Sequence, residues 1–387
     1  MQSAHTMANV AMVVTNACDP DPRVINSAKW LVEVGHQVTI HAYDRLHISQ
    51  KETSVEGVGI LRYRLGITPY GGLIKTALGL VKFRKKVVSN LNENPPDCII
   101  CHDADTLAVG RKIKKRYNIP LVLDMHDLQH TWVLMPSPRS QIRKLISWRM
   151  KKSFLNRVKS VDRIVTSCGA LEEGKNLGFK EWLKSHGHDS IVVENRPIVT
   201  KVLPLPDEKR WTVAHLGKIR DINSIRLLIK AVQIIPNNQR PNLLIAGDGV
   251  EENSVKRLIE NFSLSEDIDY EIKGRYQKDE MESLLKQTNV MYAMYDPQRG
   301  NISQGALPVK MFDAAAHGVP SIVNANCLMG ELCESEELGL SVEWNNESHL
   351  AETLVKLKNK RVRLEKTGEG GKRMYIDLIQ SLLNISL

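Results

Sequence analysis

WTVAHLGKIRDINSIRLLIKAVQIIPNNQRPNLLIAGDG, residues 211–249, sets out the plan that repeats along the chain. Trp211–Leu216 is a short, nearly continuous apolar run, as expected of a parallel strand buried on both faces. Gly217 ends it. Ile225, Leu228, Ile229 and Val232 then recur at helical spacing until Pro236, which lacks the N–H needed to continue a helix. Asn242–Ala246 is the next strand, closed by Gly247-Asp248-Gly249. A strand, a glycine turn, a helix and a second strand imply parallel pairing through a right-handed crossover.

Working outward, the plan recurs on both sides. Strands are predicted at Val10–Thr15, then Gln37–Ala42, Asp97–Cys101, Leu121–Asp124, Arg163–Ser167 and Ile191–Glu194. They return at Asp269–Lys273, Val290–Tyr295, Ser321–Asn324 and Leu340–Glu343. Val24, Ala28, Leu31 and Val32 mark a helix that Gly35 closes. The natural break is RPIVTKVLPLPDE, Arg196–Glu208, with prolines at 197, 204 and 206 that hold the chain extended. The predicted class is therefore α/β, with two doubly wound Rossmann-like domains facing across a cleft. The first covers residues 1–203 and the second 204–372, with 373–387 as a helix that can pack back on the first. Ligands in such sheets bind beyond the carboxyl ends of the strands.

Bulk properties bound the function. The chain has 387 residues, 42% hydrophobic and 25% charged, enough for two sizeable cores. No run approaches the roughly 20 apolar residues of a membrane span. Val10–Val14 is too short for a signal-peptide core and follows no basic segment, so a cytoplasmic location is expected. The six cysteines are scattered, which argues against a disulfide framework. Cys98 and Cys101 lie three apart on a strand, on opposite faces, and are expected as buried thiols, with neither metal nor redox duty. The net charge of +9 favours an acidic partner: nucleic acid, anionic lipid or a phosphorylated small molecule. No recognisable nucleic-acid-binding module is formed, so nucleic acid is not expected.

Several segments could carry chemistry. Gly217, Lys218 and Arg220 follow a strand and precede a helix, where an open backbone turn and two cations suit phosphate. A solvated turn with surface charges is the plainer alternative. Gly247 closes the next strand in the same manner. In NISQGALPVKMFDAAAHGVP, residues 301–320, Pro308 leads into a helix on which Lys310 and Asp313 share a face. That face offers a cation for phosphate and a carboxylate for hydroxyls, or else an ordinary surface ion pair. His126 follows one strand and His102 and Asp105 another, positions that suit acid–base work or sugar contacts, although lone histidines are often structural.

Together these segments resemble a GT-B fold glycosyltransferase, close to the retaining glycosyltransferase family 4 (glycosyl transferases group 1). The resemblance spans nearly the whole chain. It rests on Asp21-Pro22-Arg23-Val24 with Gly35-His36-Gln37-Val38-Thr39, on His102-Asp103-Ala104-Asp105-Thr106-Leu107, and on Asp124-Met125-His126-Asp127-Leu128. Its most specific part is Leu307-Pro308-Val309-Lys310-Met311-Phe312-Asp313 with Ala316-His317-Gly318-Val319-Pro320.

The resemblance implies a hexosyltransferase-type enzyme that moves a sugar, with retention, from a nucleoside-diphosphate sugar to a saccharide or lipid-linked saccharide, in the synthesis of cell-surface polysaccharide or glycoconjugate. It implies catalytic roles for His126, Lys310 and Asp313. Donor contacts are implied for Gly217, Lys218, Arg220, Gly247, Asn301, Ser303, Lys310 and Asp313. Asp19, Arg23, His102, Asp105 and Asp127 fall on the acceptor side. No metal or other cofactor is required.

Two positions depart from the family. Where an acid usually stands eight residues before the second carboxylate, this chain has Gly305, so sugar contacts must come from backbone N–H groups or from Asn301, Ser303 and Gln304. The second basic residue of the family falls at Asn223 or Ser224, and Arg220 is the nearest replacement.

Pro69-Tyr70-Gly71-Gly72, followed by Lys82, Arg84, Lys85 and Lys86, marks a basic region beside the acceptor half. Arg139–Lys159 is basic too, with Ile142, Leu145, Ile146 and Met150 at helical spacing and Trp148 and Phe154 adding bulk. Such a segment can lie on anionic lipid at the inner face of the cytoplasmic membrane, or be a packed helix with a charged outer side. Two other functions suit the same architecture: a nucleotide-sugar epimerase, and a non-catalytic nucleotide-sugar-binding subunit.

Overall fold

The structure is a computed structural model that describes residues 7–47, 49–67, 73–135, 137, 139–206, 210–266, 268–298 and 301–385. The Pro69–Gly72 motif and residues 207–208 of the proline-rich stretch lie outside the described residues. The chain forms two compact units. Unit 1 comprises Met1–Ser167, Lys180–Glu194 and Glu369–Leu387, and unit 2 comprises Cys168–Phe179 and Asn195–Gly368.

Unit 1 is built on β1 (Asn9–Val14), β2 (Gln37–Tyr43), β3 (Glu52–Val55), β4 (Val58–Tyr63), β5 (Cys98–His102), β6 (Leu121–Met125), β7 (Arg163–Thr166) and β8 (Ile191–Val192). Their order is β3-β4-β2-β1-β5-β6-β7-β8. Every neighbouring pair is parallel except the β3–β4 hairpin. The helix Pro22–Glu33 starts where Asp21 accepts from Val24 N–H, with proline at its first position. Gly35 ends the turn beyond it with a φ of 93°. Val10, Met12, Val24, Leu31 and Ile40 form one core, which Tyr375, Ile379 and Leu382 of the final helix, Glu369–Ile385, complete.

Unit 2 contains β9 (Thr212–Leu216), β10 (Asn242–Ala246), β11 (Tyr270–Lys273), β12 (Val290–Tyr292), β13 (Ser321–Asn324) and β14 (Gly339–Val342). All pairs are parallel, in the order β11-β10-β9-β12-β13-β14. This is the 3-2-1-4-5-6 arrangement of a nucleotide-binding sheet. Ile225, Leu228, Ile229 and Val232 cover one face of it, and Met311, Phe312 and Ala314–Ala316 cover the other.

The α/β class and the doubly wound sheets agree with the sequence, and each predicted strand is present within a few residues. The β3–β4 hairpin was not anticipated. Cys98 and Cys101 are buried free thiols, and burial pushes both up to about 12.

Candidate functional site

Unit 1 gathers charge at the carboxyl ends of β5 and β6. Asp124, next to last in β6, is fully buried, and Arg23 from the first helix closes on it through Nη2 (2.5 Å) and Nε (3.1 and 3.2 Å). The same guanidinium donates through Nη1 to the Val193 carbonyl at 2.6 Å. Two histidines reach the other side of the carboxylate: His102 Nδ1 at 3.4 Å and His126 Nε2 at 3.3 Å from Asp124 Oδ2. The two rings meet at 3.2 Å. Asp103, held at a left-handed φ of 66°, accepts from His126 N–H at 2.8 Å, and its other oxygen lies 3.8 Å from His126 Nδ1.

Electrostatics assign the protons. Burial opposes a charge on Asp124, but Arg23, then His126, hold it well below the usual carboxylate range. Burial also opposes charge on His126, yet Asp103 and Asp124 outweigh it and raise the imidazole to about 9. His102 is pushed down by burial and stays neutral. Asp103 is pushed up to about 7 by burial. His102, Asp124 and His126 also bring three possible metal-ligand atoms within 4.8 Å of one another. Arg23 already occupies both oxygens of that carboxylate, so Asp124 is satisfied by its hydrogen-bonded ion pairs.

His126 is therefore expected to titrate near pH 9 in an NMR imidazole titration. Its native value lies above the ordinary 6.5, so its ion pair with Asp124 stabilises unit 1 below about pH 6.5 and is lost as pH rises through about 9. A resonance that titrates at 6.5 would contradict this arrangement.

Unit 2 places two glycine turns side by side at the carboxyl ends of β9 and β10. Gly217 N–H donates to Ala246 O (2.8 Å) and Ile219 N–H to Asp248 O (2.9 Å). The backbones touch so closely that a Cβ on Gly247 would sit 1.9 Å from Gly217 O. Above Gly217 the space is open: a Cβ there would meet only Lys310 Cε, at 3.8 Å. Lys310 is carried by the helix Val309–Ala316, which begins after Pro308. Its ammonium lies 3.2 Å from His215 Nε2 and 5.4 Å from the centre of the Tyr295 ring. Burial and then Lys310 hold His215 far below its usual value, so the ring is neutral and accepts.

The remaining candidates are placed as follows. Lys218 is exposed and pairs with Asp248 at 2.5 Å, tying the two turns together. Arg220, Ser303 and Gln304 are exposed, and Asn301 is half-buried. Asp313 is half-buried near Tyr276, whose hydroxyl is raised to about 12 by burial and then by the Asp313 charge. Asp19 is exposed and accepts from Ser49 Oγ at 2.6 Å. Asp105 accepts from Thr15 Oγ1 at 2.6 Å, and Asp127 N–H shares Asp103 Oδ1 with His126. Within unit 1, Arg23, His102 and His126 come together. Within unit 2, Gly217, Gly247 and Lys310 do. Sequence reasoning missed Asp103, Asp124, His215 and Tyr295. The first three sit at strand ends beside residues it did choose, and that shared position was the available signal.

Residues 201–374 match the glycosyl transferases group 1 family, and residues 21–174 match the glycosyl transferase 4-like domain. No curated protein matches the chain. Among solved structures, sucrose-phosphate synthase from Thermosynechococcus elongatus superposes with a TM-score of 0.69 at 15% identity, over 97% of this chain and 96% of that one. HepE of Anabaena, solved with UDP-glucose, gives 0.63 at 12% identity, over 97% and 100%. The α,α-trehalose-phosphate synthase of Burkholderia vietnamiensis gives 0.59 at 9%, over 98% and 96%. Residues 201–374 thus carry a glycosyl transferases group 1 domain, residues 21–174 carry a glycosyl transferase 4-like domain, and the chain is a GT-B glycosyltransferase.

Proposed function

We propose that unit 2 binds a nucleoside-diphosphate hexose and that the sugar passes, with retention, to a saccharide on a lipid-linked carrier. The observation that carries this reading is the open turn at Gly217 facing the Lys310 ammonium. Small backbone and a fixed cation on opposite sides suit a diphosphate. As the bond from the anomeric carbon to the diphosphate oxygen breaks, negative charge grows on the leaving group. Lys310 and Lys218 meet it, so we assign that charge no metal. Asp313 takes ribose hydroxyls. In unit 1, His126 holds a proton and serves as a donor to sugar hydroxyls rather than as a base.

HepE is solved with UDP-glucose, which makes uridine nucleotides the first to test. Calorimetric titration with UDP, GDP, ADP and CMP should show one that binds. NMR of the product made from the matching sugar donor should show a retained anomeric configuration. Binding of none, or an inverted product, overturns the reading.

The lipid-linked acceptor rests on unit 1. Helices Leu73–Glu93, Leu107–Tyr117 and Gln141–Val158 hold sixteen Lys and Arg but one acid, Glu93, whereas the chain as a whole has 53 against 44. The middle helix packs beside both others. Burial, then Arg84 and Arg111 from the other two helices, lower the Arg157 guanidinium, so the three share one positive field. The Gln141–Val158 helix buries Ser147, Phe154 and Val158, while Ile142 and Trp148 stand 74% and 55% exposed. Leu145 and Met150 are exposed as well, and so are Leu78 and Val81 on the first helix. Exposed apolar residues among cations suit the interface of an anionic bilayer, here the inner face of the cytoplasmic membrane. No helix among the described residues is long and apolar enough to cross one. The protein is expected to bind phosphatidylglycerol vesicles at low salt and phosphatidylcholine vesicles weakly. Trp148→Glu should reduce the former at least tenfold in a sedimentation assay. Equal binding to both vesicle types removes the membrane from the proposal.

A further inference from the structure

Gly305 stands where the family places an acid, and the structure gives a physical reason. Its φ is 105°, and a Cβ there would lie 2.8 Å from both Gly178 Cα and Leu177 O. The space is filled by the loop Cys168–Phe179, a part of unit 2 whose flanking residues, Ser167 and Lys180, belong to unit 1. The loop is closed at its base, where Phe179 N–H donates to Cys168 Sγ at 3.3 Å. Gly178 in turn has no room for a side chain, since its Cβ would fall 2.7 Å from Gly169 Cα. Glu331, in the first turn of the helix Leu328–Ser335, fixes the tip. One carboxylate oxygen accepts from Lys175 N–H at 2.9 Å, and the other from Asn176 N–H at 3.1 Å. Two hydrogen bonds to one charged acceptor are strong and orienting. Leu171 anchors the loop on the apolar core that also holds Ile302, Ala306 and Leu307.

We infer that this loop, latched by Glu331, is the specificity element for the hexosyl group of the donor. It sets the position of residues 301–305, which lead directly into Lys310, and it takes the volume in which a carboxylate at 305 would otherwise contact sugar hydroxyls. Sugar recognition then comes from the backbone of 176–178 together with Ser303 and Gln304. Glu331 is a positioning residue. The inference rests on donor binding in unit 2.

The test is Glu331→Ala, with Gly305→Ala as a second variant that pushes on the same loop from the other side. Affinities for the free nucleotide that binds wild type and for its sugar conjugates (glucose, galactose and N-acetylglucosamine) are measured by calorimetry. Thermal unfolding checks the fold, and amide exchange at Lys175 and Asn176 checks latch release. The expected result is free-nucleotide affinity within twofold of wild type, with preference among the three sugars reduced at least tenfold. Unchanged preference once the latch amides exchange freely overturns the inference. Equal loss of free nucleotide and all conjugates overturns it as well, because the loop would then serve the nucleotide. Failure of every nucleotide with wild type defeats the donor-site reading, and this inference with it.

Discussion

Lys310→Ala is expected to leave the protein folded and to lower kcat/KM by about 10²–10³, the range for losing one preorganised contact to developing negative charge. Lys310 is half-buried and projects from the helix Val309–Ala316, whose packing is carried by Met311, Phe312 and Ala314–Ala316. Its removal takes the cation away from the His215 ring, which is itself neutral. The loss should therefore fall on function. Nucleoside diphosphate should bind more weakly in calorimetry, while the nucleoside alone should bind as before. Lys310→Arg should recover part of the loss, because the charge returns on a larger, planar head that must fit between His215 and Tyr295. Wild-type kcat/KM in the alanine variant would refute the role given to Lys310.

The second large effect is structural. Arg23→Ala should destabilise the protein by about 3–5 kcal/mol, the usual cost of removing one partner from a buried ion pair. Asp124 is 1% exposed, and its carboxylate and the Val193 carbonyl would lose the donors that Arg23 supplies. The remaining cation in contact with Asp124, His126, would carry more of the interaction. Its titration should move upward, since Arg23 now lowers it. The acid limb of stability should change as well. Asp124 is held below its unfolded value, so it stabilises the fold above about pH 3.8 and that contribution is lost as pH falls through its lower native value. In Arg23→Ala, part of this dependence disappears. Urea unfolding of the full chain at pH 7 and at pH 4 measures both effects. A loss below about 1 kcal/mol at pH 7 would show that water replaces the guanidinium.

What could be read in advance follows physical lines. Buried parallel strands write themselves as apolar runs, and Val10–Val14 or Ser321–Asn324 need no partner to be recognised. The β3–β4 hairpin hides because Glu52, Thr53 and Ser54 form a polar edge strand, and β4 carries a buried charge. Arg62 is covered there because it donates to the carbonyls of Ala17, Cys18 and Gln50 and to Thr53 Oγ1. Glu56-Gly57, both at positive φ, was the local sign of its two-residue turn. Lys310 and His126 were legible as single residues at the starts of turns or helices. The network of Arg23, Asp103 and Asp124 was not, since positions about 20 to 100 residues apart meet only once the strand order is known. Gly305 read as a missing acid, and only the approach of Leu177 and Gly178 shows why no side chain stands there.

The last helix has a consequence for how the protein is made. Tyr375 packs edge-on against Trp30 at 5.8 Å, and Ile379 and Leu382 fill the core begun by Val10 and Leu31. The helix Pro22–Glu33 thus waits for a helix made much later, and all of unit 2 emerges from the ribosome in between. A nascent chain that has emerged only as far as residue 368 would display an open apolar groove along the helix Pro22–Glu33 while unit 2 is already able to fold. Ribosome-bound intermediates should consequently recruit holdase chaperones to the strands and helix of unit 1, and release them once Glu369–Ile385 has emerged and docked.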